Sequence, residues 1–167
     1  MVRLVGIGTV APAAVERLLD RAFGTDRHAR TAYRLRTGTA AIEALSFAAV
    51  EDGSGEPVGS IQCWPVRFAG DDGRDVPLVL VGPVAVAPER QQAGIGRRLM
   101  AASLAAADAR GDVLMLIGDA DYYGRFFGFT ADATAGWRLP GPVERHRLLA
   151  RGPGVPGGPG AIGPRPA

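Results

Sequence analysis

A glycine-bearing turn near the middle of the chain has the residue types and spacing of a phosphate site. The motif Gln91-x-x-Gly94-x-Gly96 follows a predicted strand and opens a predicted helix. Glycine lets a ligand approach the backbone closely, and the first N–H groups of a helix have no partner within it. The helix dipole favours an anion at the same end. The motif therefore predicts a pyrophosphate site, to which Arg97 and Arg98 would add positive charge.

The strand that precedes this turn contains a proline. Pro83 lies inside the apolar run Val76–Ala87, where it cannot donate a ladder hydrogen bond. A proline at such a place predicts a bulge or a splayed edge, whose freed backbone groups can bond an extended ligand. Strand and turn together suit a ligand with a peptide-like arm and phosphates, and coenzyme A has both parts.

A second motif lies downstream, in the run Gly118–Phe129, which reads GDADYYGRFFGF. Together the two motifs resemble the GNAT superfamily of N-acetyltransferases, whose cofactor motif is Gln/Arg-x-x-Gly-x-Gly/Ala after a strand. The downstream run is similar to that of the YhbS-like subgroup, as are Ala32–Arg36 and Leu139–Pro142. The turn Val86–Glu89 fits the family's strand end. The resemblance covers residues 12–151.

This resemblance implies acetyl-CoA as co-substrate and direct transfer of its acetyl group to a primary amine in a ternary complex. The acceptor that it implies is an amine of a small molecule or of a protein. A backbone N–H near Val86 is implied to polarise the thioester carbonyl. The cofactor-binding residues implied are Val84, Ala85, Val86, Gln91, Gln92, Ala93, Gly94, Ile95, Gly96, Arg97, Arg98, Tyr123 and Phe126.

The resemblance also implies a tyrosine that protonates the departing thiolate, a suitable role for a phenol whose pKa is near ~10. The subgroup has one Phe before its final glycine, whereas this chain has Phe126 and Phe127. Gly124 consequently occupies the position of the family's tyrosine. Both Tyr122 and Tyr123 are candidates, and Tyr123 is favoured because it is nearer that position. Packing in the core is the alternative role for the two tyrosines, and it is the simplest interpretation of Phe126, Phe127 and Phe129.

A general base is harder to place. Many family members carry an acidic residue on the strand that corresponds to Val76–Ala87, and this chain has none there. Asp119 is the candidate base, with Glu89 and Asp121 as substitutes. Asp119 and Asp121 are also good helix N-caps, which is the structural interpretation of the same residues.

The elements that must position these residues follow from apolar periodicity. The order predicted is β-α-α-β-β-β-α-β-α-β-β, a mixed α/β (α+β) fold. The resemblance implies the GNAT acyl-CoA N-acyltransferase fold: a central, mostly antiparallel sheet of six or seven strands, with its fourth and fifth strands splayed and helices on its faces. The strands are predicted at 2–7, 45–50, 58–68, 76–87, 112–117, 137–139 and 147–150, and the helices at 12–23, 27–35, 93–110 and 122–127.

Composition limits the class of protein. The 167 residues have 19 basic and 17 acidic side chains, interleaved, and a net charge of +2, so no basic stripe for nucleic acid is indicated. No apolar run suits a membrane span and no signal peptide is visible, so the cytoplasm is expected. One cysteine and two distant histidines predict no metal site. A monomer and a homodimer both stay open.

The last residues differ in composition from the rest. The segment 152–167 reads GPGVPGGPGAIGPRPA and contains a large share of the 24 Gly and 13 Pro. Such a segment is predicted to be disordered, because it offers little apolar surface to bury. The sequence therefore predicts one domain over residues 1–151 and a disordered tail over 152–167.

Two other functions compete with catalysis. The first is a non-catalytic acyl-CoA-binding sensor or regulatory module, favoured by the missing strand acid and the extra Phe. The second is nicotinamide binding at Gly6–Ala11, which fits a loose dinucleotide fingerprint but lacks the strand that should follow. Segments 24–44 and 130–146 are expected on the acceptor side, and their arginines suit either a carboxylate-bearing acceptor or a solvated surface. These are Arg27, Arg30, Arg34, Arg36, Arg138, Arg145 and Arg147.

Overall fold

The computed structural model describes residues 1–166 of the chain. The backbone forms two compact units. The first comprises Met1–Arg27, Ala41–Cys63 and Gly82–Ala109, and the second comprises His28–Ala40, Trp64–Val81 and the residues from Arg110 onward. Two long strands, β3 (Pro57–Gly70) and β4 (Asp75–Val86), contribute a segment to each unit.

In the first unit, β1 (Val2–Gly6) pairs antiparallel with β2 (Phe47–Glu51), and β2 pairs antiparallel with the start of β3. Helix α1 (Pro12–Phe23) buries Ala14, Val15, Leu18 and Leu19, which lie three and four residues apart on one face. Proline at its first position and Gly24 at its end, with φ of 87°, fix its limits. The helix therefore has the bounds that its sequence predicts.

Helix α3 (Ile95–Arg110) packs closely on β3 in the same unit. A Cβ atom on Gly59 would lie 2.8 Å from Ile95 Cγ2 and 3.1 Å from Leu99 Cδ1. The hydroxyl of Ser103 donates a hydrogen bond of 2.7 Å to the carbonyl of Leu45. Gly59 thus lets the start of α3 lie against the sheet, and this contact positions the turn that precedes the helix.

In the second unit, β5 (Leu114–Ile117) pairs parallel with β4 and antiparallel with β7 (Leu148–Arg151). The β4–β5 register joins Val79 to Leu114 and Leu80 to Met115. Beyond it β4 continues through a cis Gly82–Pro83 peptide to Val86. The remaining elements are α2 (Thr31–Arg34), α4 (Ala120–Phe127), β6 (Trp137–Arg138) and β8 (Gly160–Pro164).

The predicted disordered tail is wrong. Strand β8 pairs antiparallel with the end of β3, from Val66 opposite Pro164 to Gly70 opposite Gly160, and parallel with β6. The glycines allow close packing rather than looseness, because a Cβ on Gly160 would overlap the Phe68 ring. One further tail residue, Ala167, lies outside the described residues. Regular structure thus extends past residue 151, to at least Pro164.

The mixed α/β fold is confirmed, with differences in detail. Within residues 1–166 the sheet has eight strands rather than six or seven, because β8 was not predicted. The helix predicted at 27–35 is a 3-10 turn over Thr25–Ala29 followed by α2, which begins after the extended residue Arg30. Within residues 1–166, no helix combines the length and apolar character needed to span a membrane.

Candidate functional site

The predicted phosphate turn lies wholly in the first unit. Strand β4 ends at Val86, and the N–H of Ala87 donates 2.8 Å to the carbonyl of Val58. A 3-10 turn over Pro88–Arg90 follows. The chain then reaches Gly94, whose carbonyl accepts the first helical hydrogen bond from the N–H of Arg98 at 3.2 Å. These bonds fix the path of the backbone from the strand into α3.

Glycine is present at positions 94 and 96 of the motif for different structural reasons. Gly94 has a φ of 74°, a left-handed conformation that is costly for residues with a Cβ. Gly96 has no such φ, and a Cβ there would make an ordinary contact of 3.6 Å with Val86 Cγ2. The structure therefore requires glycine at Gly94 and has room for alanine at Gly96, as in a Gly-x-Gly/Ala motif.

The surface of this turn suits an anion. Gln91, Gln92, Ala93 and Gly94 are exposed, and the first turn of α3 reads IGRR, with no acidic residue in it. Helix geometry leaves the N–H groups of the first turn without carbonyl partners inside the helix. The turn can thus bind a phosphate with its backbone donors.

Several charged side chains beside the turn form hydrogen bonds or ion pairs with other residues of the first unit. Both Nη atoms of Arg98 lie 3.3 and 3.4 Å from the carbonyl of Val2 on β1, whereas the Arg97 side chain is exposed. Arg90 forms an ion pair with Glu51. Glu89 accepts a hydrogen bond of 2.6 Å from Arg21. Of these residues, Arg98 contacts the sheet through the carbonyl of Val2 on β1.

The hydrogen bonds of Glu89 do not favour a role as a strong base. A hydrogen bond from its own backbone N–H and one from Arg21 lower the pKa of this carboxyl group below its usual value. A carboxylate with a lowered pKa holds a proton weakly, which reduces its ability to remove one from an amine.

The second motif forms α4 in the second unit. The Asp119 carboxylate accepts a hydrogen bond of 2.9 Å from the N–H of Asp121, so the predicted N-cap is confirmed. At the other end Gly128 has a φ of 73° and donates 3.2 Å to the carbonyl of Gly124, while Phe129 N–H lies 3.3 Å from the carbonyl of Tyr123. Both ends of this eight-residue helix are thereby fixed.

The two tyrosines of α4 have different surroundings. The Tyr123 ring lies against the end of β5, where a Cβ on Gly118 would be 2.6 Å from Tyr123 Cε2. Burial raises the pKa of Tyr123, with smaller increases from Tyr122 and Asp119 and an opposing effect of Arg147. The Tyr122 ring stands nearly perpendicular to it, with centroids 5.0 Å apart. Tyr123 is therefore held as a neutral phenol at neutral pH.

The phenylalanines of the motif separate into core and surface. Phe129 is buried, as expected for a core residue, but Phe126 is 44% exposed, so core packing is the wrong interpretation for it. Its ring centroid lies 5.4 Å from that of Tyr122. Phe126 thus places an aromatic ring at the surface, beside one candidate acid.

Several arginines on the predicted acceptor side form hydrogen bonds with backbone carbonyls or with a carboxylate of the protein. Arg34 Nη1 donates 3.0 Å to the carbonyl of Pro140, and Arg138 forms a two-point contact of 2.7 and 3.0 Å with Asp71. Arg145 donates to the carbonyl of Trp137. In the second unit the hydroxyl of Thr31 also donates 2.6 Å to the carbonyl of Pro142, so the two segments flank each other.

Sequence reasoning missed one residue of interest, Trp64. It lies on β3 and is buried, and the guanidinium carbon of Arg36 lies 4.1 Å from its ring centroid. A tryptophan on an apolar strand gives no signal beyond core packing. Only its pairing with an arginine far away in sequence shows that it is unusual.

The structure around Gly6–Ala11 does not have the arrangement that a dinucleotide-binding site needs. Around Gly6–Ala11 the chain makes a 3-10 turn, and β1 pairs antiparallel with β2 instead of parallel with a later strand. The carboxylate of Glu43 would be 3.2 Å from a Cβ on Gly8, which opposes a pyrophosphate there. No group of three metal-binding side chains occurs in residues 1–166.

Comparisons with known proteins agree with this architecture. The family model for the acetyltransferase (GNAT) family matches residues 11–129. The uncharacterized N-acetyltransferase YjhQ of Escherichia coli strain K12 is 32% identical over 136 residues, which cover 80% of this chain and 73% of YjhQ. The family match thus includes both motifs.

Two solved structures are similar along nearly the whole chain. One is the GNAT family N-acetyltransferase YhbS of Escherichia coli in complex with CoA, with a TM-score of 0.71, 23% identity, and coverage of 99% of this chain and 89% of that one. The other is a GNAT family acetyltransferase of Brucella melitensis in complex with acetyl-CoA, with a TM-score of 0.67, 25% identity, and coverage of 99% and 96%.

Fold and comparisons together define an acetyltransferase domain with a mixed sheet and a glycine turn at the start of α3. The chain belongs to the GNAT family of acetyltransferases. The family resemblance of its two motifs is thereby confirmed.

Proposed function

We propose that this protein is an acetyl-CoA-dependent N-acetyltransferase that transfers the acetyl group directly to a primary amine. The observation that carries the proposal is the turn before α3, which presents backbone donors, a required Gly94 and no acidic side chain to an anion. The relatives from Escherichia coli and Brucella melitensis were solved with CoA and acetyl-CoA, respectively, which supports the same ligand here.

The cofactor is proposed to bind along the end of β4 and the following turn. The pyrophosphate takes hydrogen bonds from the backbone at Gln92, Gly94 and Gly96, and Arg97 adds a positive charge. The pantetheine arm follows Val84–Val86, and a backbone N–H near Val86 polarises the thioester carbonyl. Arg98 is proposed to act indirectly, because its guanidinium contacts the carbonyl of Val2.

The reaction needs no covalent enzyme intermediate. The amine nitrogen attacks the thioester carbon, an N–C bond forms, and the C–S bond breaks with its electron pair leaving on sulfur. Tyr123 is proposed to donate its phenolic proton to that thiolate. Its raised pKa supports the assignment, because the group stays protonated through the neutral range. Most of the rate enhancement is then expected from positioning of the two substrates.

The acceptor amine must lose a proton before or during attack. Asp119, the N-cap of α4, remains the proposed base, with water as the intermediate carrier, although its carboxylate also accepts a hydrogen bond from the N–H of Asp121. Glu89 is the weaker candidate because its pKa is lowered. The proposed catalytic set is thus Tyr123, Tyr122 as its neighbour, and Asp119.

Thermal melts with acetyl-CoA, CoA and NAD test cofactor binding. A ligand at 100 times its Kd stabilises a protein by about 2.7 kcal/mol, so acetyl-CoA and CoA should raise the Tm and NAD should leave it unchanged. Release of free CoA thiol in the presence of an amine panel then tests catalysis. If acetyl-CoA leaves the Tm unchanged, the proposal is contradicted, because cofactor binding is its first step.

A non-catalytic acyl-CoA-binding module is the second candidate, favoured by one observation. The family's strand acid is missing from Val76–Ala87, and the nearby Glu89 is bound to Arg21. This candidate predicts the same thermal shift but no thiol release with any small amine or protein acceptor. Thiol release with one acceptor would exclude it.

A further inference from the structure

A serine of the first unit has a buried hydroxyl group without a partner. Ser60, on β3, is 0% exposed, and within residues 1–166 its Oγ makes no hydrogen bond. Two other buried serines of this unit show the usual arrangement, because the hydroxyls of Ser46 and Ser103 donate hydrogen bonds of 2.8 and 2.7 Å to backbone carbonyls. A buried polar group without a partner is unfavourable unless something outside the protein supplies one.

A second unpaired oxygen lies two residues further along the same strand. The side-chain carbonyl oxygen of Gln62, Oε1, is buried and has no hydrogen-bond partner in the described part of the chain. Successive side chains of a strand point to opposite faces, so Ser60 and Gln62 share one face of β3. Gly59 faces α3, and the two polar side chains therefore lie on the face away from that helix. Residues two apart on a strand are separated by roughly 6.5 Å, so one small group can reach both.

The strand that carries this pair is held in place by its neighbours. Ser60 lies opposite Ala48 on β2, whose methyl group can form no hydrogen bond. Beside Gln62, the N–H of Cys63 donates 3.0 Å to the hydroxyl of Ser46, and the carbonyl of Cys63 accepts 2.7 Å from the N–H of Ile42. The two oxygens are thus presented by a fixed backbone, which reduces the ordering needed to bind a ligand.

The end of β4 runs beside the same part of β3, within the first unit. The N–H of Ala87 donates 2.8 Å to the carbonyl of Val58. A Cβ on Gly59 would lie 3.3 Å from the carbonyl oxygen of Ala85. The proposed path of the pantetheine arm, Val84–Val86, is therefore next to the strand segment that carries the two unpaired oxygens.

The two oxygens suit a ligand that donates hydrogen bonds and has no charge. An amide oxygen only accepts, and a hydroxyl can accept as well as donate. A primary amine in its neutral form donates two N–H bonds and keeps its lone pair free for attack. Strand β3 contains no acidic residue, and burial of an ammonium group without a paired carboxylate is costly. The neutral amine is therefore the form that fits.

We propose that Gln62 Oε1 and Ser60 Oγ form the subsite that receives the neutral amino group of the acceptor. This inference rests on the proposed N-acetyltransferase function and names the residues that hold its acceptor. Gln62 and Ser60 orient the nitrogen through its N–H bonds and take no part in bond making. The subsite selects primary amines, because a neutral tertiary amine has no N–H to donate.

The side-chain carbonyl carbons of glutamine test the subsite directly. The chain has three glutamines, Gln62, Gln91 and Gln92, so protein labelled with ¹³C at glutamine Cδ gives three signals. Gln62→Leu assigns one of them by removing it. The probes are glycinamide and N,N-dimethylglycinamide, whose tertiary nitrogen has no N–H when neutral. Each is added to the full chain, with and without CoA, at about pH 9, above the α-amino pKa of about 8.

Glycinamide is expected to move the Gln62 signal in a saturable way, and N,N-dimethylglycinamide should not move it. Ser60→Ala is expected to weaken the glycinamide response about threefold to tenfold, since one hydrogen bond to the ligand is lost. The same variant should not lower the Tm of the free protein. Ser103→Ala is the matched control, because it loses the bond to the carbonyl of Leu45. It should lower the Tm and leave the glycinamide response unchanged.

The proposal is overturned if the Gln62 signal does not respond to glycinamide, responds equally to the dimethylated probe, or keeps its full response in Ser60→Ala. It is also overturned if Ser60→Ala lowers the Tm as far as Ser103→Ala does, because the hydroxyl then has an internal partner such as an ordered water.

CoA melts of the same sample separate this result from the parent proposal. A glycinamide response without a CoA-induced rise in Tm refutes the N-acetyltransferase function and leaves an amine site. A CoA-induced rise without a glycinamide response refutes the subsite alone.

Discussion

The Tyr123 ring rests on the backbone of Gly118, so closely that a Cβ on Gly118 would lie 2.6 Å from Cε2 and 2.9 Å from Cδ2 of the ring. Gly118 is the residue between the end of β5 and the N-cap Asp119. The absence of a side chain at Gly118 therefore determines where the proposed general acid points.

Gly118→Ala is expected to move the Tyr123 ring and to lower kcat by roughly tenfold to a hundredfold, the range lost when an acid is misplaced. The acetyl-CoA-induced rise in Tm should be kept. Tyr123→Phe should lower kcat at least as much, and Tyr122→Phe is the matched control, with a smaller effect. Equal losses for both tyrosine variants would contradict the assignment of Tyr123.

Alkaline pH should destabilise the fold through Tyr123. Its pKa is raised by burial in the folded state, so the folded protein holds this proton more tightly than the unfolded chain does. The resulting stability is present in full below the unfolded pKa of about 10 and is lost as the pH rises through the folded value. Urea midpoints between neutral pH and strongly alkaline pH measure this loss, which should be shallower in Tyr123→Phe. Parallel curves for both proteins would rule the effect out.

The two glycines of the phosphate turn should respond differently to the same change. Gly94→Ala forces a residue with a Cβ into a φ of 74°, which costs about 1–2 kcal/mol, and it should also weaken acetyl-CoA binding. Gly96→Ala places its methyl group 3.6 Å from Val86 Cγ2 and should change stability by less than about 0.5 kcal/mol. Chemical denaturation and acetyl-CoA melts measure both variants. A tolerated Gly94→Ala would refute the argument from backbone conformation.

Glu89→Gln tests the exposed carboxylate beside the turn. Since hydrogen bonds lower the pKa of Glu89, we expect the variant to keep kcat within about twofold and to keep the pH profile, in contrast to the losses of about a hundredfold or more that follow removal of a general base. The measurement is CoA thiol release as a function of pH. Loss of the acidic limb of the profile would instead identify Glu89 as the base.

The C-terminal strand should matter for stability. Gly160→Ala puts a methyl group into the Phe68 ring and 3.0 Å from the carbonyl oxygen of Ala69, so a loss of about 1–3 kcal/mol is expected from overpacking. Gly157→Ala is the control, because within the described residues a Cβ there would meet no atom within 4 Å. Unfolding free energies compare the two. A disordered tail would make both changes neutral.

Much of the fold and the motif positions could be predicted from the sequence, because they depend on local patterns. The spacing of Val15, Leu18 and Leu19 and the limits set by Pro12 and Gly24 define α1 without tertiary information. The turn at Gly94 is predictable for the same reason, since a positive φ and a helix start are local properties.

What could not be predicted depends on partners distant in sequence. The composition of 152–167 indicates disorder, but Gly160 is small because the Phe68 ring occupies the space beside it. Phe126 looks like a core residue by type and is exposed by its position on α4. Trp64 is distinguished only by Arg36, on another segment. No periodicity in one sequence reports such pairs.

The pairing of β8 with β3 also has a consequence for the chain while it is being synthesised. Residues 66–70 leave the ribosome about 90 residues before residues 160–164, which at about 5–20 residues per second is a delay of roughly 5–18 s. During that interval the β3 edge has open N–H and C=O groups, a template for pairing with other chains. Truncated chains that stop before β8 would keep this edge unpaired and are expected to aggregate.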